Sequence, residues 1–111
     1  MKIEFRSSKL AKQCSSAKAM RRSWGENMAR KLQARLAELE AAASLDDISK
    51  VPPAKCHELS GDRAGQLSVD LVQPFRLLFV PKHDPLPTKP DGGLDRSGVT
   101  EIVIVDIADT H

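Results

Sequence analysis

The chain has no tyrosine, one tryptophan and three phenylalanines. So small an aromatic complement argues against the stacking platforms that hold single-stranded RNA. No apolar run approaches the roughly 18 residues of a membrane-spanning helix. The first residues, Met1-Lys2-Ile3-Glu4, are charged rather than apolar, so no secretory leader is legible. Cysteine is scarce, with Cys14 and Cys56 alone. Without an export signal they are expected as free thiols in a reducing cytosol, and the chain as cytoplasmic. Cys14, Cys56, His57 and His83 fit no zinc-ligand spacing, so no metal site is expected. Gly92-Gly93 lies in a proline-rich stretch, not between a strand and a helix, so it is no phosphate-cradling loop. Cys56 and His57 are neighbours on an extended segment, face opposite ways and cannot pair as nucleophile and base. No cofactor is implied. At 111 residues and with no repeat, residues 1–111 are expected as a single domain with one modest core.

What is present is unevenly charged. The net charge of +2 hides a basic first third: residues 1–35 carry ten lysines and arginines against Glu4 and Glu26. The remainder holds seven basic and thirteen acidic residues. A basic third points to a polyanion or an acidic protein partner. Its plain alternative is a solvated helical face.

Residues 1–6 alternate apolar and charged, which predicts an opening strand. Ser7 and Ser8 cap a short helix carrying Leu10, Cys14, Ala17 and Met20 on one side. Ser23-Trp24-Gly25-Glu26 has the form of a capping box and predicts the start of the main helix. Trp24, Met28, Leu32, Leu36, Leu39 and Ala43 follow spacings of four and three along it, an apolar stripe that needs a sheet to cover. Arg30, Gln33 and Glu40 turn away. Ser44-Leu45-Asp46-Asp47 caps one more turn before Pro52-Pro53 stops any helix.

The rest is organised around Cys56-His57-Glu58-Leu59-Ser60-Gly61-Asp62-Arg63-Ala64-Gly65-Gln66-Leu67-Ser68-Val69. A polar turn, residues 60–65, separates two extended runs. Leu67, Val69 and Leu71 alternate with Ser68 and Asp70, which predicts a half-buried antiparallel strand. Gln73-Pro74 makes a tight connection. In the next strand Phe75, Leu77 and Phe79 are expected inward and Arg76 on the opposite, wet or functional face. Residues 81–98, rich in proline and glycine, read as a long flexible loop. Residues 100–107 are apolar on both faces and read as a central strand. The expected fold is α+β: an N-terminal strand and two helices on one face of an antiparallel sheet of four to five strands.

Chemistry is legible in a few side chains. Histidine titrates near neutrality, so His57 and His111 are candidate proton carriers. Arg76 offers a planar fork suited to phosphate. Arg63 either does likewise or braces its own turn beside Asp62. His57 equally reads as a strand histidine bonded to a nearby carbonyl, and His111 as a free end.

Taken together, residues 31–39, Ser44-Leu45-Asp46-Asp47-Ile48, the stretch 56–69, Phe75-Arg76-Leu77-Leu78-Phe79 and the terminal Asp109-Thr110-His111 resemble the RelE/ParE superfamily of bacterial toxins, in its HigB-like (plasmid maintenance killer) branch. The resemblance spans nearly all of the chain except residues 81–98. It implies a toxin that enters the ribosomal A site and cuts mRNA there. It also implies a helix-turn-helix, HigA-like antitoxin that blocks the toxin and brings it to operator DNA only as a complex. Carried over, His57, Arg76, Asp109 and His111 are the catalytic residues. Arg21, Arg22, Arg30, Lys31 and Arg63 are the expected RNA contacts. Ser60 stands where the family has lysine and Thr110 where it has tyrosine, so two groups able to stabilise charge or move a proton are missing. A non-catalytic toxin of the gyrase-inhibiting kind, or a member that only binds its antitoxin, is the alternative.

Overall fold

The computed structural model describes residues 1–110. Strand β1 (Lys2–Phe5) leads into three helices, α1 (Ser8–Gln13), α2 (Ala17–Trp24) and α3 (Glu26–Ala41). Strands β2 (His57–Glu58), β3 (Leu67–Asp70), β4 (Phe75–Pro81) and β5 (Glu101–Asp109) follow. They form one five-stranded sheet in the order β1-β5-β4-β3-β2. The α+β class and the helix layer agree with expectation, but the sheet is mixed. β1 runs parallel to β5, and the other neighbours are antiparallel. Return from β1 through a helical layer to a distant strand permits that parallel pairing, whereas a hairpin does not.

Three helices form where two were expected, because serine and glycine divide the run. Ser7 Oγ accepts the Leu10 amide, and Ser16 Oγ accepts the Ala19 amide to start a separate helix. The capping box at Ser23 does not form. Ser23 and Trp24 complete the last turn of α2, and Gly25 is the junction, at φ +86°. Only glycine takes that angle without strain. Its amide bonds the Arg21 carbonyl and its own carbonyl accepts the Ala29 amide, so one residue closes α2 and opens α3. The turn at Leu45–Asp47 forms as expected, with the Asp47 carboxylate accepting the amides of Ala43 and Ser44.

Met28, Leu32 and Leu39 of α3 are buried in a core with Leu67, Val69, Leu77, Phe79, Ile102 and Ile104. Leu36 is half-buried, and Ala43 lies past the helix end. In its place the stripe carries Arg35, 3% exposed, whose Nε donates to the Asp70 carbonyl and whose Nη1 bonds Glu38. The amino group of Met1 donates to the carbonyls of Leu39, Glu40 and Ala42, satisfying acceptors that a helix end leaves open.

β4 corrects the expected inward aromatic face. Phe79 is fully buried, but Phe75 is 40% exposed where the strand leaves the Gln73-Pro74 turn. Leu78 on the other face is buried too, and the register shifts between Leu78 and Phe79. β5 is central, as its apolar faces predict, because it pairs with β1 and β4 at once.

Residues 82–98 bond to the body at several points. The Lys82 amide bonds the Glu101 carbonyl, His83 Nε2 accepts the amides of Thr100 and Glu101, and Arg96 Nη1 donates to the Cys56 carbonyl, while a Thr88–Leu94 bridge and the Asp95 amide on the Pro87 carbonyl tie the segment to itself. Lys82 Nζ lies 2.7 Å from Glu4. That hydrogen bond, then the charge, lowers the Glu4 carboxyl below 4.5. A depressed carboxylate contributes stability above its unfolded value and loses it as pH falls through the folded one. Glu4→Gln is therefore expected to lower the thermal midpoint slightly at pH 7, the effect of an exposed pair. Wild type and variant should converge as the midpoints are followed well below pH 4.5.

Cys14 and Cys56 are free and buried. Burial pushes the Cys14 thiol up to about 11 and raises Cys56, where nearby Arg96 opposes the shift. Both thiols are held neutral, and the thiolate is the reactive form. A disulfide reagent at neutral pH is expected to label neither in the native protein and both after unfolding.

Candidate functional site

The turn at Gln73-Pro74 folds β3 against β4 so that Asp70 stands opposite Arg76. His57 stands opposite Ser68 on the other side of β3, and Arg76 opposite Ala108 of β5. Cross-strand partners share a face. His57, Ser68, Asp70 and Arg76 therefore lie together on the side of the sheet away from the helices.

Arg76 is 8% exposed and engaged at both ends of its guanidinium. Its Nη1 is 2.6 Å from His57 Nε2, and its Nε is 3.4 Å from Asp70 Oδ1. The second contact is Coulombic, since neither atom has a hydrogen-bond partner. Gln73 Nε2 reaches the other oxygen of Asp70 at 3.4 Å. On its far side His57 Nδ1 lies 3.1 Å from the Lys55 carbonyl. A carbonyl only accepts and a guanidinium only donates. The imidazole is thus fixed as the neutral tautomer with the proton on Nδ1 and the lone pair of Nε2 turned to Arg76. Lys55 holds φ +50°, the left-handed region, and Lys55 is the single non-glycine residue there among those described. Such strain persists where the surroundings impose it, and here the strained residue supplies the acceptor that sets the histidine's tautomer.

Beside this relay a cleft of about 240 Å³ is lined by His57, Glu58, Leu59, Ser60, Arg63 and Thr110. Ser60 and Thr110, the two departures from the family pattern, thus border the same space as His57. Arg63 Nη1 donates to Gln66 Oε1 at 3.3 Å, so it braces its own turn while lining the cleft. Ser68 Oγ is buried beneath this face with no hydrogen-bond partner.

The other candidates are placed elsewhere. Asp109 pairs with Phe75, and alternation assigns it to the face opposite Arg76. His111 lies outside the described residues. Arg21 and Arg22 on α2, and Arg30 and Lys31 on α3, are exposed on the helical layer, across the sheet from the relay. Asp70 was missed as Arg76's partner. The signal was available, because residues 70 and 76 flank Gln73 symmetrically with opposite charge.

No protein-family model and no curated protein matches the chain. Among solved structures it is similar to a YoeB/ParE toxin from Agrobacterium tumefaciens, with a TM-score of 0.58 and 14% identity over 100% of both chains. At that identity the likeness is one of fold. The chain has the α+β fold of a YoeB/ParE toxin, and among the described residues no helix is long and apolar enough to cross a membrane.

Proposed function

We propose that the chain is the toxin of a type II toxin–antitoxin pair, HigB-like, and that it cuts mRNA in the ribosomal A site. The observation that carries this reading is the 2.6 Å contact between His57 and Arg76 beside an accessible cleft, on a fold shared with a toxin. Cleavage by the ribose 2′-OH needs a base, a cation on the phosphoryl oxygens and an acid for the leaving oxygen. A phosphate entering the cleft competes for the Arg76 guanidinium and draws it from His57 Nε2, whose lone pair then takes the 2′-OH proton. The 2′ oxygen bonds to phosphorus, the P–O5′ bond breaks, and His111 protonates the 5′ oxygen, leaving a 2′,3′-cyclic phosphate. Arg21, Arg22, Arg30 and Lys31, on the helical side, grip ribosomal RNA in this reading, while the geometry of the ribosome selects the codon. A HigA-like antitoxin, carrying the operator-binding helix-turn-helix, is the cytoplasmic partner.

The second reading, a toxin without nuclease activity or a chain that only binds its antitoxin, draws on two features. Ser60 and Thr110 bring only hydroxyls to the cleft, and Arg76 is already neutralised by Asp70. Programmed 70S ribosomes separate the two. Cuts in the A-site codon with cyclic phosphate ends, lost in Arg76→Ala and His111→Ala, support the nuclease. Intact mRNA at saturating folded protein overturns it and moves attention to gyrase and to antitoxin binding.

A further inference from the structure

β1 covers only part of β5. Pairing between them ends at Phe5 and Ile104, and the last rung is the Arg6 amide on the Ile104 carbonyl. The chain then departs into α1. No described strand pairs with residues 105–108 on that side, although β4 pairs with β5 on the other as far as Asp109. The amide of Ile107 meets no strand carbonyl there and is satisfied by the Asp106 side chain at 2.8 Å. A cleft of about 250 Å³ runs along this bare edge. Lys9, Gln13 and Trp24 form one wall, and Val105, Asp106 and Ile107 the other.

The helical wall of the cleft is basic, set against Asp106 on the strand wall and Glu26, which lies 3.8 Å from Arg21. Arg6, Lys9, Lys12, Lys18, Arg21 and Arg22 are all exposed, and residues 6–24 contain no acid. We propose that the bare edge of β5 at residues 105–108 receives an extended acidic segment of a protein partner, which adds as a further strand over the basic surface of α1 and α2. An open strand edge offers amides and carbonyls at strand spacing, and an extended peptide satisfies both. RNA has no complementary backbone for such an edge. At about 250 Å³ the cleft has room for an apolar side chain beside Trp24. Asp106 stands in for the missing strand: its carboxylate occupies the Ile107 amide until a backbone carbonyl replaces it. The docking does not depend on the nuclease reading. Assigning the segment to an antitoxin rests on the function proposed above.

Trp24 is the sole tryptophan of the chain and reports directly on the cleft. The probe is an eight-residue peptide of alternating glutamate and valine, titrated against the whole protein with Trp24 emission and amide NMR shifts as readouts. Saturable binding is expected, with the shifts centred on residues 105–108 and the Ile107 amide newly protected from exchange. Lys9→Glu/Lys12→Glu should weaken it about tenfold. Asp106→Asn, which keeps an oxygen acceptor and removes the opposing charge, should tighten it a few-fold. The inference is overturned by no saturable response up to about 1 mM, by shifts mapping elsewhere, or by equal binding of a lysine–valine peptide. It is also overturned if only a single-stranded RNA oligonucleotide moves Trp24, or if protein concentration alone does, since the edge then serves RNA or a second copy. None of these outcomes involves RNA cleavage, so failure here is distinct from failure of the nuclease reading.

Discussion

On the proposed nuclease reading, Arg76→Ala is expected to lower A-site cutting at least about 100-fold, and it should destabilise the fold by about 3 kcal/mol. The first effect follows from removing the one guanidinium that the sheet holds against His57. The second follows from Asp70, whose side chain is 13% exposed and would keep a buried charge with no cation beside it. Arg76→Lys retains the charge without the fork and should recover stability better than rate. The two effects separate in Asp70→Asn/Arg76→Met, which leaves no unpaired buried charge. Its urea midpoint should return toward wild type while cutting stays lost. Cutting by Arg76→Ala within about threefold of wild type, at equal folded concentration, would show that the rate does not depend on this group.

The second large effect lies in the core. Phe79 is fully buried where β4 shifts register against β5. Phe79→Ala removes a whole ring from a packed site and is expected to cost about 3–5 kcal/mol. Against a total of about 5–15 kcal/mol for a domain of this kind, that is at least about a fifth of the stability. Phe79→Leu fills most of the volume and should cost about 1–1.5 kcal/mol. Urea unfolding with an unchanged slope measures both. A loss below about 1 kcal/mol for the alanine variant would place the ring outside the cooperative core.

Much of this architecture was legible because hydrophobic period reports burial directly. Leu32 and Leu39 on α3, Leu67 and Val69 on β3 and Ile102 and Ile104 on β5 all point where their spacing says. The errors have local causes. Ser23 and Glu26 have capping chemistry, but Gly25 between them takes a left-handed angle and hands one helix to the next. Arg35 falls on the apolar stripe, three residues from Leu32 and four from Leu39. Its charge hid that position, although the Asp70 carbonyl and Glu38 make its burial tolerable. Phe75 keeps the inward parity of Leu77 but sits at the mouth of a turn, where there is nothing to cover it. Parallel pairing of β1 with β5 left no local sign, because it joins segments about a hundred residues apart. At the site, His57, Arg63 and Arg76 were legible as side-chain chemistry. The tautomer of His57 was not, since it depends on the backbone angle of Lys55.

The place of β5 bears on how the protein is made. Every other strand leaves the ribosome before the one that separates β1 from β4. Until β5 emerges, β1 has no neighbour to pair with, and β4 has only β3. Arg76 meanwhile lacks the wall that Ala108 provides. Long-range pairing of this kind folds late and slowly. The nascent chain thus carries its histidine and arginine through synthesis on β2 to β4 alone, and the full sheet closes only when the strand that joins β1 to β4 is in hand.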